Sequence, residues 1–221
     1  MRVLVIDTAL EACTAAVFDG DTALAVRSEV MVRGHSERLG GFVRDVVADA
    51  GGGFGAIDRI GVTVGPGSFT GLRVGLAFAQ GLGAALGRPV VGLSTLAALA
   101  WSAGAGRGRT AAVIDARRGQ VYLQRFEDGR AVSPPEALST EDASVALGGT
   151  DGPWRLIGSG ALLVGGQDGG ENAPSPAALA VLAGRLDPAA HPPYPLYLRA
   201  PDAIPPTRLP GQARPAVASA G

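Results

Sequence analysis

The chain has 221 residues, and 47% of them are hydrophobic, which suffices for one large domain or two small ones with a buried core. The formal net charge of -1 argues against a face built to bind DNA or RNA unaided, so any RNA contact is expected to need a partner. All 19 cationic side chains are arginine, which excludes a P-loop lysine, a Schiff base and a lysine general base. The single cysteine, Cys13, is expected to be a small buried hydrophobe.

The apolar run at the N-terminus, residues 1–6, ends at Asp7. It is shorter than a secretory signal or a membrane span requires. We therefore expect a cytoplasmic protein that does not bind a membrane.

The first half of the chain alternates between strand and helix patterns. Strands are predicted at 2–6, 13–18, 22–29, 58–64 and 89–92, and the turn signal at 19–21 joins the second and third. An amphipathic helix capped by Ser36 ends at the glycines 51–53, and a second helix runs from Ser94 to about Ser102.

The most informative segment is Gly-Pro-Gly-Ser-Phe-Thr-Gly-Leu-Arg-Val-Gly at 65–75, which joins a β-branched strand to a helix at 70–86. Its spacing fits neither the dinucleotide fingerprint nor the P-loop, and Pro66 lacks an amide, so a tight turn is favoured over an anion site. We assign Ser68 as the N-cap of the helix.

Small residues recur every four positions along this helix and form one ridge: Gly71, Gly75, Ala79 and Gly83. Each interior glycine costs about 1 kcal/mol of helix stability relative to alanine. We therefore expect close packing on the ridge, either by the chain's own core or by another subunit.

The second half repeats the first. Val5-Ile6-Asp7 is matched by Val113-Ile114-Asp115, and Phe18 and Phe126 keep the same spacing. A strand at 154–157 and a helix that begins at Ser175-Pro176 complete a shorter second half.

This duplication predicts an α/β fold of the actin-like type, with two lobes, a reduced second lobe and a cleft between them. The predicted boundaries are 1–103 for the first lobe, 104–199 for the second, and 200–221 for a proline-rich tail. The lack of apolar periodicity predicts that this tail is disordered.

In such folds the two aspartate turns face each other across the cleft, where a nucleotide's phosphates and metal would lie. The residues assigned to this vestigial nucleotide cleft are Asp7, Thr8, Thr14, Asp115, Gly158 and Gly160. Alternatively, both aspartates only end buried strands and accept hydrogen bonds from turn amides. The sequence leaves both interpretations open.

Six motifs, in order along the chain, resemble the TsaB (YeaZ) family, and they lie at 6–8, 35–39, 65–73, 92–96, 115–122 and 197–199. The glycine block at 65–73 is the most specific of them. The resemblance covers nearly the whole chain up to Arg199.

The resemblance implies an actin-like, sugar-kinase-type fold and a role in attaching a threonylcarbamoyl group to the adenosine beside the anticodon in tRNAs that read codons starting with A. It implies a non-catalytic subunit that heterodimerises with the transferase TsaD, joins the ATPase TsaE in a larger complex, and meets tRNA indirectly. It further implies that no cofactor is required, and it is compatible with weak or interfacial binding of ATP or ADP. The two histidines, His35 and His191, are too far apart for a two-histidine metal site on one helix.

The resemblance also assigns the interface with TsaD to the helices at 36–50 and 70–86. The predicted interface residues are His35, Leu39, Phe42, Val43, Val46, Leu72, Gly75, Leu76, Ala79 and Gly83. An apolar surface of this kind is costly to leave in water, so we expect it to form a homodimer when the partner is missing.

Two other functions compete with this one. A sugar-kinase-type phosphotransferase or ATP-binding protein would use the aspartate turns at Asp7 and Asp115. A protease would need a nucleophile and base, and Ser68 stands in a sequence that differs from a nucleophile elbow by one extra residue.

Overall fold

A computed structural model describes residues 1–31, 33–104, 108–148, 152–166 and 172–199. The predicted tail at 200–221 lies outside the described residues.

The first lobe contains a five-stranded sheet in the order β3-β2-β1-β4-β5. Its strands are β1 (Arg2–Asp7), β2 (Ala12–Asp19), β3 (Thr22–Val30), β4 (Arg59–Gly65) and β5 (Val90–Ser94). The central strand β1 pairs antiparallel with β2 and parallel with β4, so that Leu4 lies between Val17 and Ile60.

Alternating side chains of β1 place helices on both faces of this sheet. Leu4 and Ile6 pack with helices α1 (His35–Ala50) and α2 (Phe69–Leu86). Val3 and Val5 pack on the opposite face, in a cluster that includes α3 (Thr95–Ser102) and α5 (Pro176–Arg185).

The second lobe repeats the centre of the first. Its elements are β6 (Arg109–Arg117), β7 (Gln120–Glu127), β8 (Arg130–Ala131), β9 (Glu136–Ser139), α4 (Thr140–Leu147) and β10 (Arg155–Ile157). Strand β6 pairs antiparallel with β7 and parallel with β10, as β1 does with β2 and β4. In the described part of this sheet no strand lies beyond β10, so the predicted duplicated fold with a reduced second lobe is confirmed.

Helix α3 joins the two lobes. Its Leu96 and Leu99 belong to one buried cluster with Ile114 of β6 and Phe126 of β7. The other face of the second sheet is covered by α4, through Ala143.

Helix α5 belongs to the first lobe in space, although it follows the second lobe in sequence. It packs on β1, β2, β4 and β5, and a Cβ at Gly61 would lie 2.6 Å from the Cβ of Ala183. The chain then runs along the same lobe, where the Leu196 amide donates to the Val64 carbonyl at 2.7 Å. The boundary predicted at 104–199 therefore needs correction, because its last quarter completes the first lobe.

The glycine ridge of α2 faces this chain's own core. A Cβ at Gly71 would collide with the Thr8 carbonyl, one at Gly75 with Thr8 Oγ1, and one at Gly83 with Val90. Close packing was predicted correctly, but its use as an external docking groove was wrong, because the turn after β1 and the start of β5 fill the space.

The helix starts were predicted with mixed success. Ser68 caps α2 by accepting a hydrogen bond from the Gly71 amide, and Ser94 and Ser175 cap α3 and α5 in the same way. Helix α1 instead begins at His35, directly after Gly34. Gly34 has a left-handed backbone conformation and no side chain that could cap the helix. Ser36 is therefore inside the first turn.

By length and mean hydropathy, α2 also meets the requirement for crossing a membrane. A core helix of a soluble protein passes the same test, and α2 packs on β4 and β1 of the first sheet. The feature is therefore weak evidence for a membrane.

Two alanine substitutions on α2 separate the packing of the ridge from helix propensity. Gly75→Ala places a methyl group against Thr8 Oγ1, so we expect the free energy of unfolding to fall by about 1–3 kcal/mol. Gly81→Ala, at a position with open space around it, should raise it by up to about 1 kcal/mol. Urea unfolding of both variants measures the difference. Equal effects at the two positions would contradict the inward packing of the ridge.

Candidate functional site

A cleft of about 740 Å³ lies between the two lobes. The first lobe lines it with the turn after β1 (9–11) and the turn before α2 (66–69). The second lobe contributes the end of β6 (114–117), and the C-terminal segment 196–199 lies along the cleft as well.

Asp7 lies beneath the cleft and is fully buried. Its Oδ1 accepts hydrogen bonds from the Ala9 amide at 2.9 Å and from Thr63 Oγ1 at 2.7 Å. Its Oδ2 has no hydrogen-bond partner among the described residues. Burial raises the pKa of this carboxyl, and the two hydrogen bonds oppose that shift only in part.

Asp115 occupies the matching place in the second lobe and does line the cleft. Its Oδ1 accepts from the Arg117 amide at 2.7 Å, which repeats the bond from Asp7 to the amide two residues later. The Arg117 guanidinium lies 3.3 Å from Asp115 Oδ2 and 3.4 Å from Glu11 of the first lobe. The Asp115 carboxylate therefore accepts a hydrogen bond within a turn and forms an ion pair. The hydrogen bond agrees with the alternative interpretation of the sequence, in which the aspartates bond to turn amides.

The other residues predicted for a nucleotide cleft point elsewhere. Thr8 and Thr14 are buried, and their hydroxyls bond to the Gly71 carbonyl at 2.7 Å and to Ser28 at 2.8 Å. Gly158 and Gly160 pack against the backbone of β6. Of the six residues only Asp115 faces the cleft, so this assignment is corrected.

These residues also do not fit a catalytic metal with a bound phosphate. Among the described residues no group of three or more His, Cys, Asp or Glu side chains could hold a metal ion. The two aspartates that the fold would use are engaged by turn amides.

The ten residues predicted for the interface are all buried inside the chain, so they form core and not surface: His35, Leu39, Phe42, Val43, Val46, Leu72, Gly75, Leu76, Ala79 and Gly83. The prediction named the side of each helix that faces the sheet. Hydrophobic periodicity marks the buried side and does not show whether the chain itself or a partner covers it.

The outer side of the same helices carries a small-residue face, which we define as Gly40 of α1 with Ala77, Gly81 and Ala84 of α2. All four are exposed. A Cβ at Gly40 would lie 3.8 Å from the ring of Phe78, so the two helices meet at this face. The four residues of the face have no side chain larger than a methyl group.

Comparison with known proteins identifies the family. The TsaD family model, described as tRNA N6-adenosine threonylcarbamoyltransferase, matches residues 26–149. A tRNA threonylcarbamoyladenosine biosynthesis protein TsaB from Escherichia coli is 37% identical over 172 residues, covering 72% of each chain. The chain belongs to the TsaB family.

This chain is also similar to two proteins over most of both lengths. An uncharacterized protein of Mycobacterium bovis is 40% identical over 92% of this chain and 94% of its own. A crystal structure from Pseudomonas aeruginosa, described as similar to peptidase YEAZ, superposes with a TM-score of 0.76 at 32% identity, covering 90% of this chain and 99% of that one.

Two motifs of the TsaB family meet at the mouth of the cleft, in a cluster that sequence reasoning missed. The Arg73 guanidinium lies 3.8 Å from the ring centre of Phe69, and the Phe69 and Tyr197 rings are 5.3 Å apart. Phe69 is 42% exposed and Tyr197 is 41% exposed. Phe69 lies in the motif at 65–73 and Tyr197 in the motif at 197–199, but only the fold shows that the two rings lie side by side.

The burial of Asp7 predicts how stability depends on pH. The native carboxyl of Asp7 binds its proton more tightly than the same carboxyl in the unfolded chain, whose pKa has the ordinary value of 3.8. The free energy of unfolding therefore decreases as the pH rises from 3.8 through the raised pKa of the native state. Asp7→Asn removes this contribution, and its stability relative to wild type should rise with pH, by at most about 1.4 kcal/mol per pH unit. Urea unfolding from about pH 4 to pH 8 tests it. Parallel curves for the two proteins would contradict the buried, proton-binding Asp7.

Proposed function

We propose that this chain is a non-catalytic subunit required for threonylcarbamoylation of the adenosine beside the anticodon, and that it acts by heterodimerising with TsaD. The observation that carries the proposal is the match to the TsaB of Escherichia coli, named as a tRNA threonylcarbamoyladenosine biosynthesis protein, over 72% of both chains. In this proposal the protein works in the cytoplasm, where TsaE joins the complex and tRNA is met indirectly.

The chemistry of the described side chains supports an accessory role. Burial raises the pKa of the Cys13 thiol to about 11, which keeps it protonated at neutral pH. Ser68, the candidate nucleophile of a protease, caps α2. Asp115, the candidate metal ligand of a kinase, is paired with Arg117. The two competing functions therefore lack their expected groups at these positions.

The small-residue face supports the location of the TsaD contact. On the side of α2 that turns away from the sheet, Ala77, Gly81 and Ala84 form an exposed stripe of small residues, which the exposed side chains of Arg73 and Gln80 border. Small side chains allow a second helix to approach to roughly 8 Å between axes. The pairing that we expected of the buried ridge is therefore assigned to the opposite side of the same helix. The same face is expected to mediate the homodimer of the isolated chain.

The nucleotide prediction stays open in a weaker form. The cleft is large and contains Arg117 and Arg199, but the aspartates are committed to turns. Any ATP or ADP bound there would lack the metal-binding carboxylates of a kinase site.

The function is tested by reconstitution of tRNA modification from purified components. TsaD, TsaE and threonylcarbamoyl precursors should modify tRNA when this chain is present, and omission of the chain should abolish the product. The chain alone should give no product. Full modification without the chain, or modification by the chain alone, would contradict the accessory role.

A matched pair of arginine substitutions tests the docking face. Ala77→Arg should weaken TsaD binding by about tenfold or more, because a long charged side chain would be trapped between two helices. Val145→Arg, on α4 of the second lobe at a residue that is 77% exposed, should leave the affinity unchanged. Calorimetric titration with TsaD measures both. Wild-type affinity for Ala77→Arg would rule out this face, provided that thermal unfolding shows both variants folded.

A further inference from the structure

A segment without helix or strand, residues 191–199, follows α5 and lies against both lobes. We call it the strap. The chain that leads into it is fixed by Arg59 of β4, which donates hydrogen bonds to the carbonyls of Ala183 and Leu186 at the end of α5, both at 2.9 Å. Because the strap has no regular secondary structure of its own, its position depends on the elements that it contacts.

Backbone hydrogen bonds anchor the strap to the first lobe. The Gly92 amide of β5 donates to the His191 carbonyl at 2.8 Å, and the Leu196 amide donates to the Val64 carbonyl of β4 at 2.7 Å. Strands β4 and β5 are neighbours in the first sheet. The strap is therefore bonded at two points to the lobe that α5 completes.

Two glycines allow the backbone of the strap to come this close. A Cβ at Gly92 would lie 2.7 Å from the Pro192 carbonyl oxygen, and a Cβ at Gly65 would lie 2.8 Å from that of Leu196. Both distances are too short for a real side chain. Gly65 and Gly92 belong to the motifs that resemble the TsaB family, and the seating of the strap gives a physical reason for glycine at both positions.

Side chains of α2 hold the outer part of the strap. Gln80 Nε2 donates to the Pro193 carbonyl at 2.7 Å. The Tyr197 ring lies 5.3 Å from the Phe69 ring, and Arg73 Nε donates to the Tyr197 hydroxyl at 3.4 Å. The aromatic cluster at the mouth of the cleft is therefore one of the contacts that keep the strap in place.

The last residue of the strap reaches the second lobe. Arg199 Nη1 donates to the Ala116 carbonyl of β6 at 3.0 Å and to Gln120 Oε1 of β7 at 3.3 Å. The Arg199 side chain is half-buried. Hydrogen bonds from a charged donor are roughly twice as strong as those between neutral groups. The strap thus bonds to the first lobe at Leu196 and to the second lobe at Arg199.

The other contacts between the lobes differ in kind. Arg117 of the second lobe lies 3.4 Å from Glu11 of the first, but these side chains are 74% and 55% exposed. An ion pair so open to water contributes little. Helix α3 joins the lobes through a buried apolar cluster, which is suited to act as a hinge. The half-buried Arg199 is better placed than Arg117 to hold the cleft at a fixed width.

We propose that the strap is an interlobe latch, which is anchored on the first lobe by its backbone and closed on the second lobe by Arg199. When Arg199 leaves Ala116 and Gln120, the second lobe is free to turn about α3 and the cleft opens. The latch does not depend on the proposed partnership with TsaD, because every group in it belongs to this chain.

Hydrogen exchange, followed by nuclear magnetic resonance on the full chain, measures how often the latch releases. The Leu196 amide exchanges only when its bond to Val64 opens. Arg199→Ala should raise its exchange rate by about tenfold or more, because the strap loses its charge-assisted bonds to the second lobe. The Ile60 amide, which donates to Pro89 within the first lobe, should keep its rate. An unchanged rate at Leu196 would overturn the proposal.

Two further variants separate the latch from a general effect of lost charge. Gln120→Ala, in the second lobe, removes one acceptor of Arg199 and should raise the Leu196 rate by a smaller factor. Arg88→Ala removes an arginine whose hydrogen bond, to the Gly55 carbonyl at 3.3 Å, stays within the first lobe, and should leave the rate unchanged. Equal effects of Arg88→Ala and Arg199→Ala would contradict the latch.

Distances between spin labels measure the opening itself. Thr70→Cys on α2 and Glu141→Cys on α4 place labels at exposed positions of the two lobes, while the native Cys13 is buried. Releasing both attachments with Leu196→Pro and Arg199→Ala should broaden the distance distribution and lengthen its mean. A distribution identical to that of the labelled wild type would show that α3 alone fixes the lobes, and it would overturn the proposal. If the proline impairs folding, exchange in Arg199→Ala remains a valid test.

Discussion

The contact between the turn after β1 and the start of α2 underlies the rest of this structure. Thr8 donates its hydroxyl to the Gly71 carbonyl at 2.7 Å, and its atoms fill the space that a side chain at Gly71 or Gly75 would need. The Ser68 amide adds a bond to the Ala9 carbonyl at 2.7 Å. Glycine at these positions therefore brings the helix close to the sheet, and this approach sets the wall of the cleft and the position where α2 meets α1.

The duplication explains why the two aspartates occupy equivalent positions in the two lobes. Asp7 and Asp115 lie at equivalent positions near the ends of the central strands β1 and β6. Each accepts a hydrogen bond from the amide two residues later. One is sealed beneath the cleft, and the other is paired with Arg117 at its edge. Both repeats contain the carboxylate. In this structure each carboxylate accepts a hydrogen bond from a turn amide, and that of Asp115 also pairs with an arginine.

Much of the fold could be predicted from sequence, because it depends on local patterns. The central strands, the ridge of α2 and the serine caps of three helices follow from alternation, spacing and residue type. The direction in which the ridge faces could not be predicted, since a periodic pattern is the same whether Thr8 or a second protein covers it. For the same reason the outer face with Ala77 and Gly81 carried no signal, because small exposed residues show no amphipathic contrast. The meeting of Phe69 with Tyr197 joins distant parts of the chain, and it depends on tertiary structure alone.

The return of α5 to the first sheet has a consequence for how this protein is made. The N-terminal strands leave the ribosome early, yet Leu179 and Ala183, which cover one face of them, are synthesised only after the whole second lobe. Until then Val3 and Val5 have an incomplete cover, and an apolar sheet surface is exposed to other chains. The first lobe therefore cannot complete its packing before the second lobe has been synthesised.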